Sequence, residues 1–119
     1  MVVMDYVAGK SAASAQDVTM ALPTSVLDDI RRAKDILHDA GLVHGDLRRP
    51  NILIWKDGNR RKASGELRES AMLVDFDWAG RAGNVNYPHN LNDKIGWPKD
   101  VTGGGPILKE HDDFMFDQL

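Results

Sequence analysis

No cysteine occurs among the 119 residues, which excludes disulfides, thiol nucleophiles, Cys-ligated zinc and iron–sulfur clusters, and fits a reducing compartment, cytoplasmic or nuclear. Long hydrophobic runs are also missing. Residues 1–9 are apolar but interrupted by Asp5 and without a basic flank, so they form neither a membrane span nor a signal peptide. Neither sign of charge dominates. Fifteen Lys and Arg against 18 Asp and Glu leave −3, too mild an imbalance to imply a membrane or nucleic-acid partner. Internal repeats are absent, and a hydrophobic share of 42% with 28% charged residues excludes disordered, collagen-like and coiled-coil chains. The length fits one domain or a piece of one.

Two suggestive motifs lack their full pattern. The four histidines, at 38, 44, 89 and 111, show no ligand spacing for zinc. Gly9-Lys10-Ser11 imitates the end of a phosphate-binding loop, but the position five before Gly9 is Met4, where that loop needs Gly.

Residues 1–7 (MVVMDYV) read as a buried strand at the start of the chain, an expectation that points to a truncated domain. Residues 10–20 are small and polar. A helix is expected over 24–40, its start signed by Ser25 with Asp28 as a capping-box-like pair and its end by Gly41. Val26, Leu27, Ile30, Ala33, Ile36 and Leu37 would form its apolar face, opposite Asp29, Arg31, Arg32 and Asp35. Strands are expected at 42–44, at 52–55, ending in the turn dipeptide Asp57-Gly58, and at 71–74, with a polar loop over 59–70. Residues 78–106 hold six Gly, three Pro and four Asn and read as a long loop, with Gly103 to Gly105 as a flexible hinge and a helix starting near residue 112.

The chemistry concentrates in His44-Gly45-Asp46-Leu47-Arg48-Arg49-Pro50-Asn51, spaced H-x-D-x-x-x-x-N between two apolar segments. From 4 His, 15 Asp and 6 Asn, chance yields roughly 0.025 such matches. A later strand ends in Asp75-Phe76-Asp77, putting a carboxylate at the mouth of the hairpin that carries Asn51. A carboxylate and an amide oxygen are the hard ligands of a Mg²⁺ that also binds phosphates.

As a set, residues 42–54 (LVHGDLRRPNILI) and 73–80 (LVDFDWAG) resemble the large-lobe active site of the protein-kinase-like superfamily, and residues 1–9 (MVVMDYVAG) resemble its hinge. HGDLRRPN with DFDWAG and a later HDD is similar to divergent fungal-type kinase-like proteins, including those attached to Crinkler-type effectors. HGD and DFD are also similar to aminoglycoside and choline kinases. The resemblance implies an α+β fold: a mainly helical kinase-like large lobe, incomplete for want of a small lobe, with short β-hairpins carrying the catalytic and metal-binding loops. Its parts would be a hinge strand (1–9), a helix (24–40), the catalytic loop with flanking strands (42–55), the DFD segment (71–80), an activation-type loop (81–111) and the start of a helix (112–119).

The resemblance further implies ATP and Mg²⁺ as cofactors and transfer to a Ser or Thr hydroxyl of a protein substrate. Asp46 would accept or orient the hydroxyl proton, and Arg48, where the family usually has Lys, would neutralise the transferring phosphoryl. Asn51 and Asp75 would hold Mg²⁺. Met4 and the backbone of Asp5 and Val7 would border the adenine, Asp112 would brace the catalytic loop, and His44 would be structural.

Departures accompany the matches. Gly45 stands where many kinases have Arg, Asp77 replaces a Gly, no A-P-E follows, and the interval from Asn51 to Asp75 exceeds the family norm. The chain also lacks the glycine-rich loop and the strand lysine, so an inactive interaction module is one alternative and a small-molecule kinase another. Residues 48–68 carry seven basic side chains against Asp57 and Glu66, a local +5. That run reads as a solvated loop or as a docking surface for an acidic partner, with Trp55 its one aromatic.

Overall fold

The computed structural model describes residues 10–11 and 21–119. The hinge strand expected over 1–7, with Met4, Asp5 and Val7, lies outside them. The elements run β1 (Lys10–Ser11), α1 (Thr24–Asp39), β2 (Leu42–Val43), a 3-10 turn (Arg49–Asn51), β3 (Ile52–Arg61), β4 (Leu67–Leu73), β5 (Gly80–Arg81) and α2 (Lys109–Asp117). One antiparallel sheet has the order β1-β3-β4, and β2 pairs with β5 in a second.

Helix α1 starts from Pro23 with no side-chain cap, so the expected Ser25–Asp28 capping box does not form. Ser25 lies instead inside the first turn, buried, and its hydroxyl donates to the Glu69 carbonyl at 2.7 Å. Val26 and Ile30 are fully buried, but Ile36 is 62% exposed. Six residues beyond Ile30, at 100° per residue, a side chain points about 120° away from the core. Lys34, only about 40° away, is buried in the place the apolar pattern assigned to others. Its ammonium reaches Asp113 at 2.7 Å and Asp35 at 3.1 Å.

The strand expected to stop before Asp57-Gly58 continues to Arg61, and β4 begins at Leu67, four residues earlier than expected. A bulge absorbs the dipeptide: the register steps from Asp57↔Arg68 to Arg61↔Leu67, and the Asp57 carboxylate accepts the Asn59 N–H at 2.9 Å. The turn itself spans 62–66, where the Lys62 N–H donates to the Glu66 carbonyl.

The outer edge of β4 is sealed by α1. Ser25 takes the Glu69 carbonyl and Asp29 the Ala71 N–H, at 2.9 Å, so backbone groups that a fourth strand would bond are satisfied by side chains.

Among the described residues two apolar clusters result. Leu22, Val26, Ile30, Leu47, Ile52, Leu73 and Met115 join α1, the large sheet and α2. Val43, Tyr87 and Ile107 gather the long segment after β5, with Trp78, Val85 and Trp97 against them. That segment is largely irregular, as expected, apart from β5 and an isolated bridge between Asn86 and Pro106. Residues 103–105, read as a flexible hinge, carry backbone hydrogen bonds and a close contact. Gly105 accepts from Tyr87, Gly104 donates to the Tyr87 carbonyl, and a Cβ on Gly103 would lie 2.3 Å from the His89 carbonyl oxygen. Helix α2 begins at Lys109, three residues before the expected start. No helix among the described residues is long and apolar enough to cross a membrane.

Candidate active site

The loop from His44 to Asn51 runs between the two clusters, Val43 belonging to one and Leu47 to the other. His44 is fully buried. Its Nδ1 accepts the Asp46 N–H at 3.2 Å, which places the ring proton on Nε2, and Nε2 donates to the Val74 carbonyl at 3.0 Å. Phe76 meets the ring edge-on, centroids 4.9 Å apart. His44 thus ties the loop to the segment that follows β4.

Asp112, at the start of α2 and 1% exposed, accepts the backbone N–H groups of His44 at 2.8 Å and Gly45 at 3.0 Å. His38, from the last turn of α1, donates to the same carboxylate at 3.0 Å. Three donors on one buried acid hold the loop from beneath. Nothing in the sequence joined His38 to a position 74 residues away.

Gly45 has φ +91°, a conformation that side chains with a Cβ resist. A Cβ there would lie 2.9 Å from Ile107 and 3.2 Å from Trp78. The arginine usual at this position therefore has no room.

The Asp46 carboxylate is 11% exposed and accepts Arg48 Nε at 2.7 Å. Asn51 is buried, and its amide Nδ2 donates to the Asp46 carbonyl at 2.8 Å, which turns its oxygen the other way. The Val74 N–H donates to the Asn51 carbonyl at 2.9 Å. Val74 therefore links both ends of the motif, His44 through its carbonyl and Asn51 through its N–H. Asp75 follows directly, exposed, with φ +60°, the only non-glycine in that region among the described residues. Such a conformation costs about 1 kcal/mol and is commonly kept at functional sites. Asp77 is exposed as well, its N–H turned to Asp75 Oδ1 at 3.4 Å.

The structure thus brings Asp46, Arg48, Asn51 and Asp75 to one loop pair. The donor set suits Mg²⁺: an amide oxygen and a carboxylate are hard ligands. Among the described residues no group of three or more His, Cys, Asp and Glu is arranged for a metal. A cation here would complete its shell with phosphate oxygens or water.

A second network, buried at Tyr87 and His111, flanks the loop. Tyr87 donates to His111 Nδ1 at 3.0 Å, the Leu108 N–H donates to the same nitrogen at 3.2 Å, and His111 Nε2 donates to Asp100 at 3.0 Å. His111 thereby caps α2 one residue before Asp112. Burial pushes the Tyr87 hydroxyl above its ordinary 10.0, and Asp112, Asp100 and Asp46 act in the same direction. The His111 hydrogen bond holds Asp100 below 3.8.

The sequence model of the RIO domain matches residues 1–60, half of the chain. The chain belongs to the RIO domain family. This is an atypical protein kinase family within the protein-kinase-like superfamily, and its members generally use ATP and Mg²⁺. The RIO match takes in His44, Asp46, Arg48 and Asn51 and stops before Asp75, Asp77 and Asp112. No curated protein and no solved structure matches the chain.

Proposed function

We propose that this RIO chain carries the large-lobe half of an ATP-dependent phosphotransferase acting on a Ser or Thr hydroxyl of a protein, in the cytoplasm or nucleus. The observation that carries the reading is the double use of Val74: its N–H donates to Asn51 and its carbonyl accepts from His44, with Asp75 following directly beside the H-x-D-x-x-x-x-N loop. With one oxygen of Asp46 held by Arg48, the other is the acceptor for a hydroxyl proton. The remaining guanidinium N–H groups of Arg48 face charge that builds on a transferring phosphoryl. Asn51 Oδ1 and Asp75 would hold Mg²⁺, which supplies charge neutralisation between phosphates. Met4, Asp5 and Val7 would border the adenine. The similarity of DFDWAG and HDD to fungal-type kinase-like proteins supports the protein acceptor.

The test is calorimetric titration of the chain with Mg²⁺-ATP beside Asp75→Asn, which keeps a residue tolerant of positive φ and removes the charge. Binding in the parent, weakened about tenfold or more in Asp75→Asn, is expected. Asp46→Asn should then abolish transfer to protein acceptors while leaving nucleotide affinity nearly unchanged. A folded chain that binds no Mg²⁺-ATP would overturn autonomous catalysis and favour a non-catalytic interaction module.

A further inference from the structure

The β3–β4 hairpin carries a charge pattern that phosphoryl transfer does not use. Two of its cations are neutralised: Lys56 pairs with Glu69 at 3.3 Å and Arg60 with Asp29 of α1 at 2.6 Å. Two further acids keep their charge: Asp57, opposite Arg68, accepts from Ser70 at 2.7 Å, and Glu66 of the turn accepts from Ser64 at 3.4 Å. At the tip this balance ends. Arg61, Lys62 and Arg68 are exposed, and none has an ion-pair partner among the described residues. Arg61 is held in place by donating to the Gly65 carbonyl at 2.9 Å. Arg61, Lys62 and Arg68 outnumber Glu66 and Asp57 there, so a molecule of net charge −3 carries a local positive excess at this end of the hairpin.

We propose that this tip is a docking surface for an extended acidic polypeptide segment. Beside it lies a cavity of about 340 Å³, lined by Lys62, Arg68 and Glu69 of the hairpin and by Pro23, Thr24 and Ser25. Carboxylate side chains of a bound strand would enter between the two cations. The α1 side chains that seal β4 reach Glu69 and Ala71 and, among the described residues, no further toward the tip. An incoming segment can therefore set its acids against the tip without displacing α1. A nucleic acid fits less well. Trp55 is the hairpin's one aromatic and lies half-buried inside the paired region, so no platform for base stacking accompanies the cations.

The inference needs neither ATP nor an active site, so its test stands apart from that of the phosphotransferase. Fluorescence anisotropy would follow a short labelled peptide of alternating Glu and Val against the full chain, beside a Lys–Val peptide, single-stranded RNA and duplex DNA. Selective, salt-weakened binding of the Glu peptide is expected, about tenfold weaker in Arg61→Glu/Lys62→Glu/Arg68→Glu and unchanged in Arg31→Glu/Arg32→Glu on the exposed face of α1. Should the triple charge reversal melt early, the corresponding Gln variant serves, with a smaller loss in the same direction. No binding, equal binding by the tip variants, or tighter binding of RNA or DNA than of the peptide would each overturn the proposal.

Discussion

Gly45 shows how a single residue decides what the catalytic loop can contain. Its φ and the two side chains pressed against its missing Cβ together exclude any larger residue. Gly45→Ala should therefore cost about 2 kcal/mol or more, part of it the left-handed backbone and part the contact at 2.9 Å with Ile107. Gly41→Ala provides the comparison: φ is +79° but the nearest atom is Arg81 Nη1 at 3.8 Å, so only the backbone cost of about 1 kcal/mol applies. Urea denaturation of the two variants would separate the effects, and equal losses would show that packing at Gly45 is slack. At this scale the sequence was informative where chemistry is local. The spacing of His44, Asp46 and Asn51 was visible because a single loop holds all three. The donors to Asp112 were not, because two are backbone groups and the third, His38, comes from another element.

Among the elements, the hairpin departs furthest from its sequence pattern. Asp57-Gly58 carries the signature of a tight turn, yet long-range bonds keep it inside the strand pair. The Ser70 hydroxyl donates to Asp57 and accepts from Arg60, and Arg60 is in turn fixed by Asp29 of α1. Ser70 and Asp29, distant in sequence and joined through Arg60, thus override a two-residue preference, and no local signal announces them. Ser70→Ala should lower stability modestly, since Asp57 and Arg60 lose the hydroxyl that joins them, and should speed amide exchange in residues 57–61 above that in residues 52–55. Uniform exchange along β3 would contradict this role. In α1, by contrast, periodicity placed Val26 and Ile30 correctly and failed at Ile36 and Lys34, where an ion pair to Asp113 makes burial of the lysine stem tolerable.

For the whole molecule, the shifted groups set a working range of pH. The Ser70 hydroxyl and the Asn59 N–H hold the Asp57 carboxyl below its ordinary 3.8, and His111 does the same for Asp100. Both groups favour the folded state when ionised, so that contribution is present above 3.8 and disappears as pH falls through their lowered values. At the other end, burial opposes the charge of Lys34 but its bonds to Asp113 and Asp35 outweigh it, and burial raises Tyr87. Their contributions are present below 10.5 and 10.0 and fade as pH rises past those values. Thermal melts across pH should give a plateau with losses at both ends; a melting temperature still rising above pH 10.0 would contradict the basic limb.

The seal that α1 places on β4 also bears on how copies of the protein behave together. An uncovered strand is a template on which neighbouring chains can stack. By occupying the Glu69 carbonyl and the Ala71 N–H, Ser25 and Asp29 make the helix a guard against fibril growth as well as a wall of the core. A chain whose helix lifts away on heating would lose both at once.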